Sequence, residues 1–154
     1  MLKSLETKIP PPMLAALFVF GMWLVDQFLP SSVLDDVVRL PVAICLGSLG
    51  ALSAILGVLS FVKAKTTTNP MQPEKAGTLV TTGIYQYTRN PMYLGLLCVL
   101  LAWGIFLANG FSLVLAILFM PLINLLQIIP EERAMTLNFR EHYTAYQEKV
   151  RRWF

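Results

Sequence analysis

The chain has 154 residues, 56% of them hydrophobic and only 14% charged, with a net charge of +3 and a mean hydropathy of +0.63. A soluble domain carries about 25% charged residues, so this composition excludes a water-soluble globule and, more firmly, a disordered or collagen-like chain. Twelve basic residues in so apolar a chain point to a lipid headgroup surface rather than to nucleic acid.

In chain order, the first apolar stretch covers residues 12–29 and carries one acid, Asp26, near its far end. Lys3 and Lys8 ahead of it look like the start of a signal peptide. However, no small-x-small cleavage site follows, and Pro10-Pro11-Pro12 reads as a helix start, so a retained anchor is expected. The second stretch, residues 40–62, has no charge. Its small residues at four-residue spacing (Gly47 and Ala51, Gly50 and Ala54, Ser53 and Gly57) form a face on which a neighbouring helix can pack closely. Residues 92–108 and 111–129 are likewise uncharged, and Asn109-Gly110 between them is a turn dipeptide. At 1.5 Å per residue each stretch spans roughly 25–35 Å, the thickness of a hydrocarbon core. The expected fold is therefore all-α: four transmembrane helices, a loop over 63–91 and a C-terminal amphipathic helix over 131–152, in a single domain spanning 1–154.

Four spans place the N-terminal arm, the 63–91 loop and the tail on one side. Eleven of the twelve basic residues then share that side, and Arg39 is opposite. The positive-inside rule makes this side, with both termini, cytoplasmic. Cys45 and Cys98 both fall inside spans, and His142 stands alone in the tail. Neither a disulfide framework nor a metal site is expected from these.

The loop is too long for a plain connector. Thr66-Thr67-Thr68-Asn69-Pro70 and Pro73 precede a stretch of aromatic and β-branched residues that suggests a folded wall or lid. It ends in Arg89-Asn90-Pro91, which puts Arg89 at a helix N-terminus, where amide donors and the dipole favour an anion. An arginine snorkelling to lipid phosphates gives the same pattern. In the last span Asn124, Gln127 and Glu131 recur at i, i+3 and i+7, a polar face running into the membrane. Bonds between helices would also explain the first two. Pro130 is expected to bend or end this helix just before Glu131-Glu132. Two acids and an arginine on one membrane side can hold a zwitterion. In the tail Phe139, Tyr143, Tyr146 and Val150 form an apolar stripe, able to lie on the bilayer or to cover a site at its edge.

The string Leu79-Val80-Thr81-Thr82-Gly83-Ile84-Tyr85-Gln86-Tyr87-Thr88-Arg89-Asn90-Pro91-Met92-Tyr93-Leu94-Gly95, followed by Glu131-Glu132 and then Tyr143 and Tyr146, resembles the isoprenylcysteine carboxyl methyltransferase family. That family belongs to a wider group of integral membrane methyltransferases that includes phospholipid methyltransferases. The resemblance covers residues 60–152 and implies methyl transfer from S-adenosylmethionine without a Rossmann domain. It places the cofactor between the last membrane helices and the C-terminal segment, on the cytosolic side. It assigns cofactor binding to Tyr85, Tyr87, Arg89, Asn90, Pro91, Tyr93, Gly95, Gln127, Glu131, Glu132, Tyr143 and Tyr146. Arg89 would anchor a carboxylate and Glu132 the donor's ammonium or ribose, as the catalytic pair. Asn90 stands where the eukaryotic carboxyl methyltransferases carry a histidine. The expected partners are the lipid bilayer and a lipophilic or small-molecule methyl acceptor (a carboxylate, thiol or amine), with no nucleic acid. No oligomeric state can be assigned. Two rival readings are a small non-catalytic membrane scaffold or lipid-binding protein, and a nicotinamide-dependent membrane reductase. A scaffold would not need polar groups converging from loop, helix and tail.

Overall fold

Proline placement sets where the helices begin. A computed structural model describes residues 6–29, 35–65 and 77–154, and every regular element among them is a helix. Lys3, residues 66–70, Pro73 and Lys75 lie outside the described residues. Helix α1 spans Pro11–Phe28 and α3 spans Pro91–Leu107, each with proline in its first turn. There the missing N–H would have no intrahelical partner in any case. Helix α2, Asp36–Lys63, has an acid in its first turn and a base in its last, matching the helix dipole at both ends.

The turn after α3 is built by Ala108 and Asn109. Ala108 adopts the left-handed conformation (φ 51°), which stops α3. Asn109 Oδ1 then accepts the N–H groups of Phe111 and Ser112 at 3.0 and 3.1 Å and caps helix α4, Gly110–Ile123. Its Nδ2 donates to Asp26 Oδ1 (3.0 Å) and to the Leu29 carbonyl (2.7 Å), so one side chain ties the hairpin to the end of α1.

Helix α4 passes through a π-helical turn, Asn124–Ile128, into α5, Ile129–Phe139. Of the bend or end expected at Pro130, the end is not found: the helix continues through it, and the irregularity is a π-turn just before it. Ile129 N–H reaches back five residues to Asn124 O. Pro130 has no N–H to give to the carbonyl of Leu126, and Thr7 N–H donates to it instead, at 2.9 Å.

The expected single amphipathic helix over 131–152 is two helices. Arg140, at φ 44° and ψ −119°, separates α5 from α6, Glu141–Lys149. The break folds Tyr143, Tyr146 and Val150 into one apolar cluster with Leu79, Met135 and Phe139, so the stripe is buried against the loop. It does not lie on the bilayer as a continuous face.

The count of four spans is likewise refined. Pro11–Phe28, Asp36–Lys63 and the continuous rod Gly110–Phe139 are long and apolar enough to cross a membrane. Pro91–Leu107 is equally apolar but shorter, 17 residues or about 26 Å, because Pro91 and the left-handed Ala108 fix its limits.

Helix α3 is the centre of the bundle, with α2 along one side and α1 and α4 along the other. Met22, Leu100, Phe119 and Ile123 are fully buried around it, and Phe18 meets Phe119 edge to face at 5.4 Å. On the α2 side the small residues do what their spacing suggests. A Cβ on Gly50 would stand 2.7 Å from the Gly95 carbonyl oxygen, and one on Gly95 would stand 2.6 Å from that of Gly50. The two backbones therefore touch, and Ser53 Oγ donates to Pro91 O at 2.8 Å beside the crossing. The outer face of α2 exposes Ile44, Leu49, Leu52 and Ile55, a surface suited to lipid and not to water. This is a membrane protein.

Because the obstacle at the crossing is backbone, a side chain there cannot be relieved by a rotamer change. Gly95→Ala should destabilise the bundle by about 1–3 kcal/mol, read as a lower unfolding midpoint in detergent micelles. Gly21→Ala, where a Cβ meets nothing within 4 Å, should leave the midpoint unchanged.

Candidate functional site

The site gathers at the end of the bundle where α3 begins. A one-turn 3₁₀ helix, Gly83–Gln86, opens on Gly83 at φ 65°, a conformation that favours glycine. It leads into Thr88, Arg89 and Asn90, of which Thr88 and Asn90 are buried. The tail, residues 150–154, lies along this segment. Arg89 N–H donates to Arg151 O (3.0 Å), while Thr88 Oγ1 and Asn90 Nδ2 both donate to Arg152 O, at 3.2 and 2.9 Å. Tyr146 OH donates to Tyr85 O at 2.6 Å, and Trp153 Nε1 to Asn124 Oδ1 at 3.2 Å. The tail is thereby stitched to the loop and to the π-turn.

These bonds bring three charged side chains together. Glu132 accepts Arg152 through two parallel bonds, Nε to Oε1 at 3.0 Å and Nη2 to Oε2 at 2.6 Å. This is the fork geometry that suits a guanidinium to a carboxylate. Arg89 Nη2 adds a third bond to Oε1 at 2.9 Å, and its Nη1 reaches Gln147 O at 3.4 Å. The Arg89 and Glu132 side chains are only 11% and 13% exposed. One turn deeper, Tyr93 OH makes a short hydrogen bond to Glu131 Oε1. Two guanidiniums thus face Glu132, with the carboxyl group of Glu131 beside them. Arg89 Nε is buried without a hydrogen-bond partner among the described residues. Burial pushes the phenols of Tyr85, Tyr143 and Tyr146 up from their ordinary value, so Tyr146 stays a donor across the physiological range. The bond to Glu132 raises Arg152 further.

A family model described as "Phospholipid methyltransferase" matches residues 38–142, more than half of the chain. The chain belongs to the phospholipid methyltransferase family. It is also 44% identical over 62 residues to a Haemophilus influenzae protein described as uncharacterized, covering 40% of this chain and 98% of that one. No solved structure matches. Family membership makes this a membrane methyltransferase by class. The matched stretch contains Arg89, Tyr93, Glu131 and Glu132, whereas the N-terminal arm and the tail with Arg152 lie outside it.

Of the residues that the resemblance singled out, Tyr85, Arg89, Asn90, Pro91, Tyr93, Glu131, Glu132, Tyr143 and Tyr146 gather at or beside this cluster. Tyr87 is 79% exposed and points away. Gly95 serves the crossing with Gly50. Gln127 is turned to the N-terminal arm, where its Nε2 donates to Ile9 O at 2.6 Å. The polar face expected of Asn124, Gln127 and Glu131 is fanned out by the π-turn, one residue each to tail, arm and α3. Arg152 is the residue that sequence reasoning missed. It read only as one more base beside Arg151, which is exposed.

If Glu132 joins helix to tail, then Glu132→Ala and Arg152→Ala both remove the two Arg152–Glu132 bonds, and Glu132→Ala removes the Arg89 bond as well. The double variant should be little less stable than Glu132→Ala, with a coupling of about 1–3 kcal/mol in a double-mutant cycle, measured by chemical unfolding in micelles. Trypsin should cut the tail of both single variants faster than that of the parent.

Proposed function

We propose that the chain transfers a methyl group from S-adenosylmethionine to a lipophilic or membrane-embedded acceptor carrying a carboxylate, thiol or amine. The observation that carries this reading is the convergence of Arg89, Glu132 and Arg152 from loop, helix and tail on one place at the end of the bundle. That donor set fits a zwitterion. A carboxylate can pair with the Arg89 guanidinium, whose Nε has no partner among the described residues, and Glu132 can accept an ammonium or ribose hydroxyls.

When bound, the cofactor supplies an electrophilic methyl on a sulfonium, released to the acceptor's lone pair by in-line displacement. The chain's own part is positioning, which can supply roughly 7–11 kcal/mol of such a barrier. Arg89 and Glu132 grip the two ends of the amino-acid moiety, and Tyr93 orients Glu131 beneath them. Tyr143 and Tyr146 cover the cluster from the solvent side. An acceptor with an apolar tail approaches from the lipid around α2 and α3. We place the site, and both termini, on the cytoplasmic side, since Lys63, Lys65, Arg133, Arg140 and Lys149 belong to the segments at that end. The convergence of polar groups from three segments supports turnover over the scaffold reading, and no observation favours a nicotinamide reductase.

Calorimetry with S-adenosylhomocysteine on the full chain in micelles tests the assignment. Binding to the parent should weaken about tenfold or more in Glu132→Gln and in Arg89→Ala, the loss of one charged hydrogen bond. No binding to the parent, or equal binding to both variants, would sink it.

A further inference from the structure

Residues 6–9 hold the π-turn at two places and the start of α5 at a third. Thr7 N–H donates to Leu126 O, the carbonyl that Pro130 leaves without a partner (2.9 Å). Ile9 O accepts Gln127 Nε2 at 2.6 Å. Glu6 forms an ion pair with Arg133, the neighbour of Glu132. The arm adopts an unfavourable shape to do so, since Thr7 sits at φ 56°, where a β-branched residue is rarely found. Gln127 is 1% exposed and its Oε1 has no partner among the described residues, so the bond to Ile9 is what fixes its side chain.

The π-turn sets the direction in which the next helical turn presents its side chains. It holds one residue more than an α-turn, which shifts the phase of every residue after it by about 100° relative to an unbroken α-helix. Glu131 and Glu132 come three and four residues after its last residue, Ile128. In an unbroken α-helix, neither carboxylate would meet the partner it has now, Tyr93 for Glu131 and the two arginines for Glu132.

We propose that residues 6–9 are a positioning clamp that sets the rotation of the Glu131–Glu132 turn, with Gln127 and Arg133 as its points of attachment. Its functional readout rests on the donor site proposed above; its structural readout does not. The arm, outside the stretch that the family model matches, thereby tunes a site whose carboxylates lie inside it.

The Glu6–Arg133 pair offers a clean test, because Arg133 is 53% exposed and such pairs add little to global stability. Glu6→Arg, Arg133→Glu, the double charge swap and Gln127→Leu are compared in the full chain. The readouts are hydrogen exchange of residues 124–133, S-adenosylhomocysteine affinity and unfolding midpoint. Each single charge variant should exchange faster over 124–133 and bind about tenfold more weakly at an unchanged midpoint, while the swap returns to within about twofold of the parent, since small misplacements are costly in a preorganised site. Gln127→Leu should show the same local loosening. Unchanged exchange in the single variants overturns the clamp. So does a loss of affinity that tracks the midpoint and that the swap does not restore. If the parent fails to bind S-adenosylhomocysteine while the exchange pattern is as expected, the clamp stands and the donor reading falls.

Discussion

The carboxylate of Glu132 is where a membrane helix, a re-entering loop and the end of the chain meet. It is only 13% exposed, and an unpaired charge so buried would be costly. Arg152 and Arg89 satisfy it from two directions. That requirement explains the rest of the tail's bonding: Arg152 can reach Glu132 only if its own backbone is pinned, and Thr88 and Asn90 pin it.

The bundle beneath is arranged to let this happen. The Gly50–Gly95 contact draws α2 against α3, and the 3₁₀ helix Gly83–Gln86 packs on α2 just ahead of the first turn of α3. Asn109 ties the far end of α1 to the hairpin, leaving the near end of α1 to anchor the arm on the π-turn. The two ends of the bundle therefore do different work, one closing the fold and the other presenting polar groups.

Much of this was legible in the sequence. Apolar run lengths gave the helices, proline and Asn109-Gly110 gave their ends, and glycine spacing on α2 gave its packing face. The family resemblance marked Arg89 and Glu131-Glu132, which the structure places within reach of one another. The features that could not be read were effects of contacts between distant segments. The π-turn is stabilised by an N–H from Thr7, 119 residues before Leu126 in the chain, and no local pattern announces it. Arg152 is one of five bases in the tail, and only the bonds of its side chain to Glu132 distinguish it from Arg151, whose carbonyl is held as well. The break at Arg140 is held by a cluster that includes Leu79, so helical periodicity alone continued through it. Gly95, where the resemblance implies a close approach by a backbone or by the cofactor, is approached by the backbone of α2.

The central claim is that the Arg89–Glu132–Arg152 cluster serves methyl transfer at the membrane. The most direct measurement traces tritium from methyl-labelled S-adenosylmethionine in proteoliposomes containing the parent chain, Arg89→Ala or Glu132→Gln, extracting lipids and small thiols separately. Label should appear in one of these fractions with the parent and be lost with either variant. Absence of label with the parent in every fraction, or equal labelling by the variants, would contradict it.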